Sequence, residues 1–353
     1  MFDTLITNGT IIDGSNKKSY KADIGIIGKK IDTIGVLSNA ESKETINAKD
    51  SIVCPGFIDV HSHDDFKILS ERRITHNILQ GITTMIVGNC GFGISPYGAA
   101  KEQMSALYEV DSLKYKWDNF ADFFELVEEN PASINVGVLI GHHTIRRAIL
   151  NEVNKQVPNS DELNKMIYLV EEGMEAGCLG FSTGLVYEPG RYSNTEEIIN
   201  LTKPLSKYNG VYVSHMRNEA EKLFNSISET INIGTKAGTK IQISHLKSVG
   251  KENWGKVGEA LEIIDNHNLN GIDINSIADI PAGTGLGSSS SYTVGLLHAL
   301  YSYTEQSVSK ERLAQEACKI EIDIPEMGII QWDGLFNSSQ AIPTFGMAFF
   351  QDR

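Results

Sequence analysis

The chain has 353 residues, of which 41% are hydrophobic and 22% charged, a composition typical of a folded protein with one large domain or two smaller ones. Its formal net charge of −14 argues against a nucleic-acid or anionic-membrane surface, because both select for lysine and arginine. The sequence shows no membrane span and no signal peptide, and its four cysteines form no Cys-x-x-Cys pair, so we expect a cytoplasmic protein with reduced thiols.

Short apolar runs separated by turn residues open the chain and predict a small β-domain over residues 1–55. The first run contains Asn8 and Gly9, a dipeptide typical of tight hairpin turns. We therefore expect two short strands, one on each side of this dipeptide.

Six apolar runs alternate with amphipathic helical patterns after residue 56. The predicted strands cover residues 57–60, 84–87, 136–140, 179–182, 211–214 and 241–244. Before the fourth strand, Ser160 is the predicted N-cap of a helix with an apolar face. Repeated strand–helix units indicate an α/β fold with a parallel sheet, and the length favours a (β/α)8 barrel. A Rossmann sheet is the alternative, but no Gly-x-Gly-x-x-Gly loop follows the early strands.

Five potential metal ligands follow the predicted strands. His61 and His63 come after the first strand, where residues two apart point in the same direction. Cys90, His215 and His245 follow the second, fifth and sixth strands, at the barrel edge where active sites lie. A lone His-x-His is weak evidence and a lone buried cysteine usually acts as a small hydrophobe, but the shared position at four strand ends favours a metal site. Thiolate and imidazole suit Zn²⁺ better than Mg²⁺ or Ca²⁺.

These residues lie in motifs that resemble a known family. Residues 55–65, Pro-Gly-Phe-Ile-Asp-Val-His-Ser-His-Asp-Asp, are similar to the first metal motif of the N-acyl-D-amino-acid deacylases, which are members of the amidohydrolase superfamily. Residues 81–92 resemble the family's distinctive segment, in which a cysteine replaces the usual carboxylated lysine. Matching motifs also occur at 181–192, 214–217 and 243–247. The resemblance covers residues 1 to about 275.

The resemblance implies a tightly held Zn²⁺ on Cys90, His215 and His245, and a weaker second position on His61 and His63. It also implies hydrolysis of N-acyl-D-amino acids, which are small-molecule substrates, by a metal-activated water.

The resemblance further implies that Tyr192 and Lys247 hold the substrate. The alternative for Tyr192 is a core aromatic residue, and the alternative for Lys247 is a solvated surface lysine. Asp64 and Asp65 either orient imidazoles or form an acidic pair at a helix start. The family's proton-transferring carboxylate is an Asp after the eighth strand, and no counterpart is recognisable here. Asp333 stands in a Trp-Asp-Gly setting whose surroundings do not match, so we expect no identified catalytic acid and impaired activity.

Residues 279–291 resemble the phosphate loop of the GHMP sugar kinases, and the continuation is most similar to D-glycero-D-manno-heptose 7-phosphate kinases. Glycines let backbone N–H groups approach phosphates, so this loop implies a site for ATP and Mg²⁺. Its predicted phosphate contacts are Gly283, Gly285, Gly287, Ser288 and Ser289. A flexible Gly/Ser linker is the alternative, which the apolar helical segment that follows disfavours.

The sequence therefore predicts two partial enzymes joined in frame. The expected division is a β-domain at 1–55, an incomplete TIM-type hydrolase barrel at 56–271, an α+β kinase-like fragment at 272–327 and an unassigned tail at 328–353. Deacylation is the leading function. An ATP-dependent sugar kinase and an inactive zinc-binding remnant are the alternatives, and no oligomeric state is predicted.

Overall fold

A computed structural model describes residues 1–15, 17–105, 114–150, 152, 154–267, 272–274 and 347–351, the last two segments by their backbone alone. The predicted phosphate loop and Asp333 lie outside these residues. No helix in the described part of the chain is long and apolar enough to cross a membrane.

The first 55 residues contribute five strands to one sheet. They are β1 (Phe2–Ile11), β2 (Tyr20–Ile27), β3 (Lys30–Gly35), β4 (Ser42–Asn47) and β5 (Ser51–Pro55). Strand β1 pairs antiparallel with β2 and parallel with β4 and β5, and β2 pairs antiparallel with β3.

The predicted hairpin at Asn8 and Gly9 is wrong, because β1 is one continuous strand of 10 residues. Asn8 has a φ of 62°, and the register against β2 shifts between Ile6 and Gly9, as in a β-bulge. The backbone N–H of Asn8 donates a hydrogen bond to the carboxylate of Asp23 at 2.9 Å, and the side-chain amide of Asn8 donates one to Oδ1 of Asn47 at 2.9 Å. Partners on two neighbouring elements thus fix the left-handed residue inside the strand.

Seven parallel strands follow, each hydrogen-bonded to the next in chain order. They are β6 (Phe57–Asp59), β7 (Ile82–Val87), β8 (Asn135–Gly141), β9 (Gly180–Gly184), β10 (Val211–His215), β11 (Lys240–Ile243) and β12 (Ile272–Ile274). The sheet confirms the prediction of a partial α/β barrel beside a separate β-sheet. Each of the six predicted strands overlaps one of these elements, and β12 adds a seventh at the boundary between the two resembled families. Among the described residues there is no eighth parallel strand.

Nine α-helices accompany the sheets in the described residues. They are α1 (Lys67–Ser70), α2 (Thr75–Ile78), α3 (Tyr97–Met104), α4 (Phe120–Glu129), α5 (His142–Ile149), α6 (Ser160–Ala176), α7 (Thr195–Thr202), α8 (Leu223–Ala237) and α9 (Val257–Asp265). Short 3₁₀ turns cover Gly190–Tyr192, Lys203–Tyr208 and Lys251–Asn253. A final strand, β13 (Met347–Gln351), pairs antiparallel with β5 in the first sheet. The proposed domain boundaries remain predictions.

Helix α6 shows how local sequence and packing agree. Its N-cap is Asn159 and not the predicted Ser160, because the Asn159 side chain and Glu162 exchange hydrogen bonds in a capping box. Met166 and Val170, on the predicted apolar face, are fully buried in the main hydrophobic cluster between strands and helices. The same cluster contains Met85 and Val87 of β7 and Tyr212 of β10.

Candidate metal centre

Three of the predicted histidine ligands converge on the sulfur atom of the fourth ligand, Cys90. Sγ of Cys90 lies 3.3 Å from Nε2 of His61, 3.5 Å from Nδ1 of His215 and 3.7 Å from Nε2 of His245. A tetrahedral Zn²⁺, with bonds of about 2.3 Å to sulfur and about 2.05 Å to nitrogen, would separate these atoms by about 3.6 Å. The three sulfur–nitrogen separations therefore fit such an ion. His63 stands beside this group, with its ring 5.3 Å from that of His61.

A second set of donor atoms includes a residue that the sequence analysis did not identify. Ligand atoms of His215, Glu219 and His245 lie within 4.8 Å of one another, as do those of His61, Cys90 and His245. Glu219 stands four residues after the ligand that ends β10, a spacing that would have marked it as a partner of that histidine. Its side chain is only 9% exposed.

Burial sets the protonation of the ligands. Burial and the neighbouring His245 lower the pKa of His215 to about 3, and burial with the same neighbour and His63 lowers that of His61 to about 2. Burial raises the pKa of the Cys90 thiol to about 12. At neutral pH these two imidazoles therefore offer lone pairs, whereas the thiol must lose a proton to bind a metal.

The backbone around Cys90 is strained and braced on both sides. Cys90 has a φ of 54°, an unfavourable region for a residue with a side chain. The Ser182 hydroxyl donates to the carbonyl of Gly88 and accepts the N–H of Gly91 at 3.0 Å. Asp65 accepts the N–H of Gly88 at 2.7 Å. These contacts fix the loop that presents the thiol.

His143, at the start of α5, ties the same loop to the end of β9. Its backbone N–H donates to the carbonyl of Gly91 at 2.9 Å, and its Nε2 lies 2.9 Å from the carbonyl oxygen of Gly184. The side chain is fully buried. The sequence analysis did not single out this residue, since only the folded chain brings it against the Cys90 loop.

The structure separates the roles of Asp64 and Asp65. Asp64 forms ion pairs with Lys67 at 2.9 Å and with His76 at 2.7 Å. Asp65 is completely buried, and its second carboxylate oxygen has no hydrogen-bond partner among the described residues. Burial raises the pKa of Asp65 to about 7. The carboxylate of Asp65 supports the Cys90 loop through the N–H of Gly88, and the charge of Asp64 acts on the ring of His63.

Of the two predicted substrate residues, one lies at the centre. Lys247 Nζ is 2.5 Å from Oε2 of Glu219 and 3.1 Å from Nδ1 of His245. Tyr192 lies in a 3₁₀ turn and donates its hydroxyl hydrogen bond to Glu188 at 2.5 Å. The structure thus brings Lys247 to the ligand cluster, whereas the described contacts of Tyr192 are with its sequence neighbours.

Two known families match different parts of the chain. The model of the amidohydrolase family matches residues 44–211, and that of the GHMP kinase N-terminal domain matches residues 255–328. D-aminoacylase from Alcaligenes xylosoxydans xylosoxydans is 37% identical over 264 residues, which are 75% of this chain and 54% of that protein. The chain thus spans about half the length of the curated relatives it matches.

Solved structures extend the similarity to three dimensions. A crystal structure of D-aminoacylase superimposes with a TM-score of 0.71 at 32% identity, covering 78% of this chain and 58% of that one. The N-acyl-D-glutamate deacylase from Bordetella bronchiseptica, solved with zinc and a phosphonate inhibitor, gives a TM-score of 0.70 at 30% identity, covering 77% and 58%. Residues 44–211 of this chain therefore match the amidohydrolase family, the first three quarters of the chain are similar to D-aminoacylase, and residues 255–328 match the GHMP kinases.

Proposed function

We propose that this chain hydrolyses the amide bond of N-acyl-D-amino acids in a zinc-dependent reaction, in a cytoplasmic setting that keeps Cys90 reduced. The observation that carries the proposal is the convergence of three imidazole nitrogens on the Cys90 sulfur at 3.3–3.7 Å. D-aminoacylase and the N-acyl-D-glutamate deacylase, which the chain resembles in sequence and structure, support the substrate class.

In this proposal Cys90, His215 and His245 hold the zinc ion, and His61 with His63 forms a weaker second position. When bound, the ion supplies acidification of a water molecule and polarisation of the amide carbonyl.

Lys247 and Tyr192 are the proposed substrate-binding residues. The ammonium group of Lys247 is a charge-assisted donor suited to the α-carboxylate of an acyl amino acid. Its side chain is 33% exposed, so a ligand can reach it from solvent. Tyr192 presents its hydroxyl on the turn after β9 and would have to exchange its partner Glu188 for substrate.

Turnover by this chain is proposed to be slow. The resembled family takes the proton of the water with an Asp after the eighth strand, and the described residues contain seven parallel strands. A positioned general base contributes about 10²- to 10⁴-fold to the rate. In this proposal the chain therefore has the metal ligands of the resembled family and lacks its general base.

The test combines metal analysis with stereoselectivity. We expect about one zinc per chain and slow hydrolysis of N-acetyl-D-amino acids, with less activity on the L-enantiomers. His215→Ala should abolish both zinc retention and hydrolysis, whereas His267→Ala, an exposed histidine, should change neither. A purified chain without zinc, or one that hydrolyses both enantiomers equally, would contradict the proposal.

ATP binding is a second candidate function, favoured by the match of residues 255–328 to the GHMP kinases. The proposed contacts are the backbone N–H groups of Gly283, Gly285 and Gly287 and the hydroxyls of Ser288 and Ser289, with Mg²⁺ bound beside them. Calorimetric titration with Mg²⁺-ATP would detect this site. Binding that survives substitution of Gly285 and Gly287 by alanine would contradict it.

A further inference from the structure

Glu219 lies against the outer nitrogens of two predicted ligands. Its Oε1 is 3.0 Å from Nδ1 of His245, and its Oε2 is 3.6 Å from Nε2 of His215. In both rings the opposite nitrogen faces Cys90, at 3.7 Å and 3.5 Å respectively. One carboxylate therefore adjoins the two imidazoles on the side away from the sulfur.

The two histidines present different nitrogens to the sulfur. His245 uses Nε2 and His215 uses Nδ1. A neutral imidazole binds a metal only through the nitrogen without a proton, so the two rings require opposite tautomers. A carboxylate at the outer nitrogen favours a proton there; the 3.0 Å separation at His245 is within hydrogen-bond reach, whereas the 3.6 Å separation at His215 is an electrostatic contact. The only carboxylate described beside both outer nitrogens is that of Glu219.

Lys247 makes this choice critical at His245. Nδ1 of His245 has two polar neighbours, the Glu219 carboxylate at 3.0 Å and the Lys247 ammonium at 3.1 Å. An ammonium group donates only, so it favours a bare Nδ1 and moves the ring proton to Nε2, which faces Cys90. The carboxylate favours the opposite tautomer, which leaves Nε2 free for a metal.

We propose that Glu219 is a positioning residue that favours the metal-binding tautomers of His215 and His245 and pairs with the Lys247 ammonium beside the His245 ring. This inference rests on the proposed zinc site and deepens it. The main chain supports the assignment, because the N–H of Val249 donates to the Glu219 carbonyl at 2.7 Å and ties the loop after β11 to the loop after β10.

A direct ligand role for Glu219 is the competing reading of the same cluster. The geometry disfavours it, since the carboxylate meets the rings at the nitrogens that face away from Cys90. An ion bound to Glu219 would have to leave the sulfur, which is the strongest zinc donor in the cluster.

The experiment measures zinc affinity of the full chain by competition with a chromophoric chelator. Glu219→Gln keeps the side-chain shape but replaces one acceptor oxygen with a donor group. Loss of a partner that orients a metal-binding histidine weakens metal affinity about 10- to 100-fold, and we expect this increase in the Kd. Glu229→Gln is the matched control, because Glu229 is also mostly buried and pairs with Arg217 at 3.0 Å, without contacting a predicted ligand.

Lys247→Met separates tautomer control from general damage. In the Glu219→Gln background it removes the competing ammonium, so we expect it to recover about half of the loss in log Kd. Alone, it should leave the zinc Kd within about 3-fold of the parent value. The absorption spectrum of the Co²⁺-loaded Glu219→Gln chain should keep the thiolate charge-transfer band, because Cys90 remains a ligand.

Three results would overturn the inference. One is an unchanged Kd in Glu219→Gln, and another is an affinity loss as large as that of Cys90→Ala, which indicates a direct ligand. The third is no recovery in the double variant. A parent chain that binds no zinc overturns the proposed function together with this inference, whereas a parent that binds zinc beside an unaffected Glu219→Gln overturns this inference alone.

Discussion

The thiol of Cys90 carries the protonation chemistry of the centre. Burial raises its pKa to about 12, so it is protonated near neutral pH, whereas His61 and His215, with pKa values of about 2 and about 3, are already neutral. Zinc must therefore displace one proton from the sulfur and none from these two rings. We predict that the zinc Kd of the full chain falls about 10-fold per unit between about pH 7.5 and 9.5.

Chelator competition across that range measures this slope, with corrections for protonation of the chelator. Cys90→Ala should bind zinc more weakly and lose the slope, because its remaining ligands release no thiol proton. A parent Kd that does not change with pH would contradict a protonated thiol in the metal-free chain.

The raised pKa of Asp65 predicts a second pH effect, which acts on the stability of the fold. Its pKa is raised to about 7 by burial, against 3.8 in the unfolded chain, so stability is lost as the pH rises from about 4 to about 7. The maximal cost is about 4 kcal/mol. Asp65→Asn keeps an acceptor for the Gly88 N–H and removes the buried charge. We predict that the variant gains stability relative to the parent on going from about pH 5 to pH 8.

Urea unfolding of the metal-free chains at these two pH values gives the comparison. Asp64→Asn is the matched control. Burial raises the pKa of Asp64, but hydrogen bonds from Lys67 and His76 outweigh it and lower the pKa overall, so this carboxylate stabilises the fold above about pH 4. Its loss should destabilise the chain at both pH values. An Asp65→Asn difference that is the same at both values would show that Asp65 is ionised in the fold.

At the scale of elements, the loop after β7 depends on glycine for space as well as for conformation. A Cβ on Gly91 would lie 2.7 Å from the His143 ring, and its φ is +80°. Gly28 has a φ of +57° but nothing within 4 Å of its Cβ position. We predict that Gly91→Ala weakens zinc binding at least about 10-fold, because the clash moves the Cys90 loop.

Gly28→Ala separates the two causes. Each alanine carries the cost of a left-handed backbone, about 1–2 kcal/mol, so both variants should unfold at lower urea concentrations. Only the Gly91 variant should change the zinc Kd. Equal affinities in the two variants would mean that the His143 contact does not position the thiol.

Local sequence predicted some of these elements and not others. The barrel strands and the five ligands follow from apolar runs that end in His or Cys, a pattern contained in short segments. The bulge at Asn8 depends on Asp23 and Asn47, which only the sheet brings close. Glu219 likewise acquires its role when the loops after β10 and β11 meet. The four-residue spacing indicates the contact of Glu219 with His215. Its contact with His245, like the bulge at Asn8, depends on segments that are distant in the chain and that spacing does not bring together.

For the whole molecule, the strands of the described sheet bear on how much of the proposed chemistry is present. Strands β6 and β12 are the two edges of the seven-stranded sheet in the described residues. A closed barrel of this kind has its eighth strand between them, and the resembled family carries its proton acceptor there. The ligands, in contrast, come from β6, β7, β10 and β11, which are all present. In the proposed function, metal binding and proton transfer are therefore separable.

This separation predicts chemical rescue. A small carboxylate that diffuses to the open side can accept the proton that the missing side chain would take, so added formate should raise the rate of N-acetyl-D-amino-acid hydrolysis in proportion to its concentration. Sodium chloride at equal ionic strength should have no such effect, and the zinc-free His215→Ala chain should not respond to formate. Fast hydrolysis that formate leaves unchanged would instead mean that a carboxylate of this chain already performs the transfer, and the slow-turnover part of the proposed function would then be wrong.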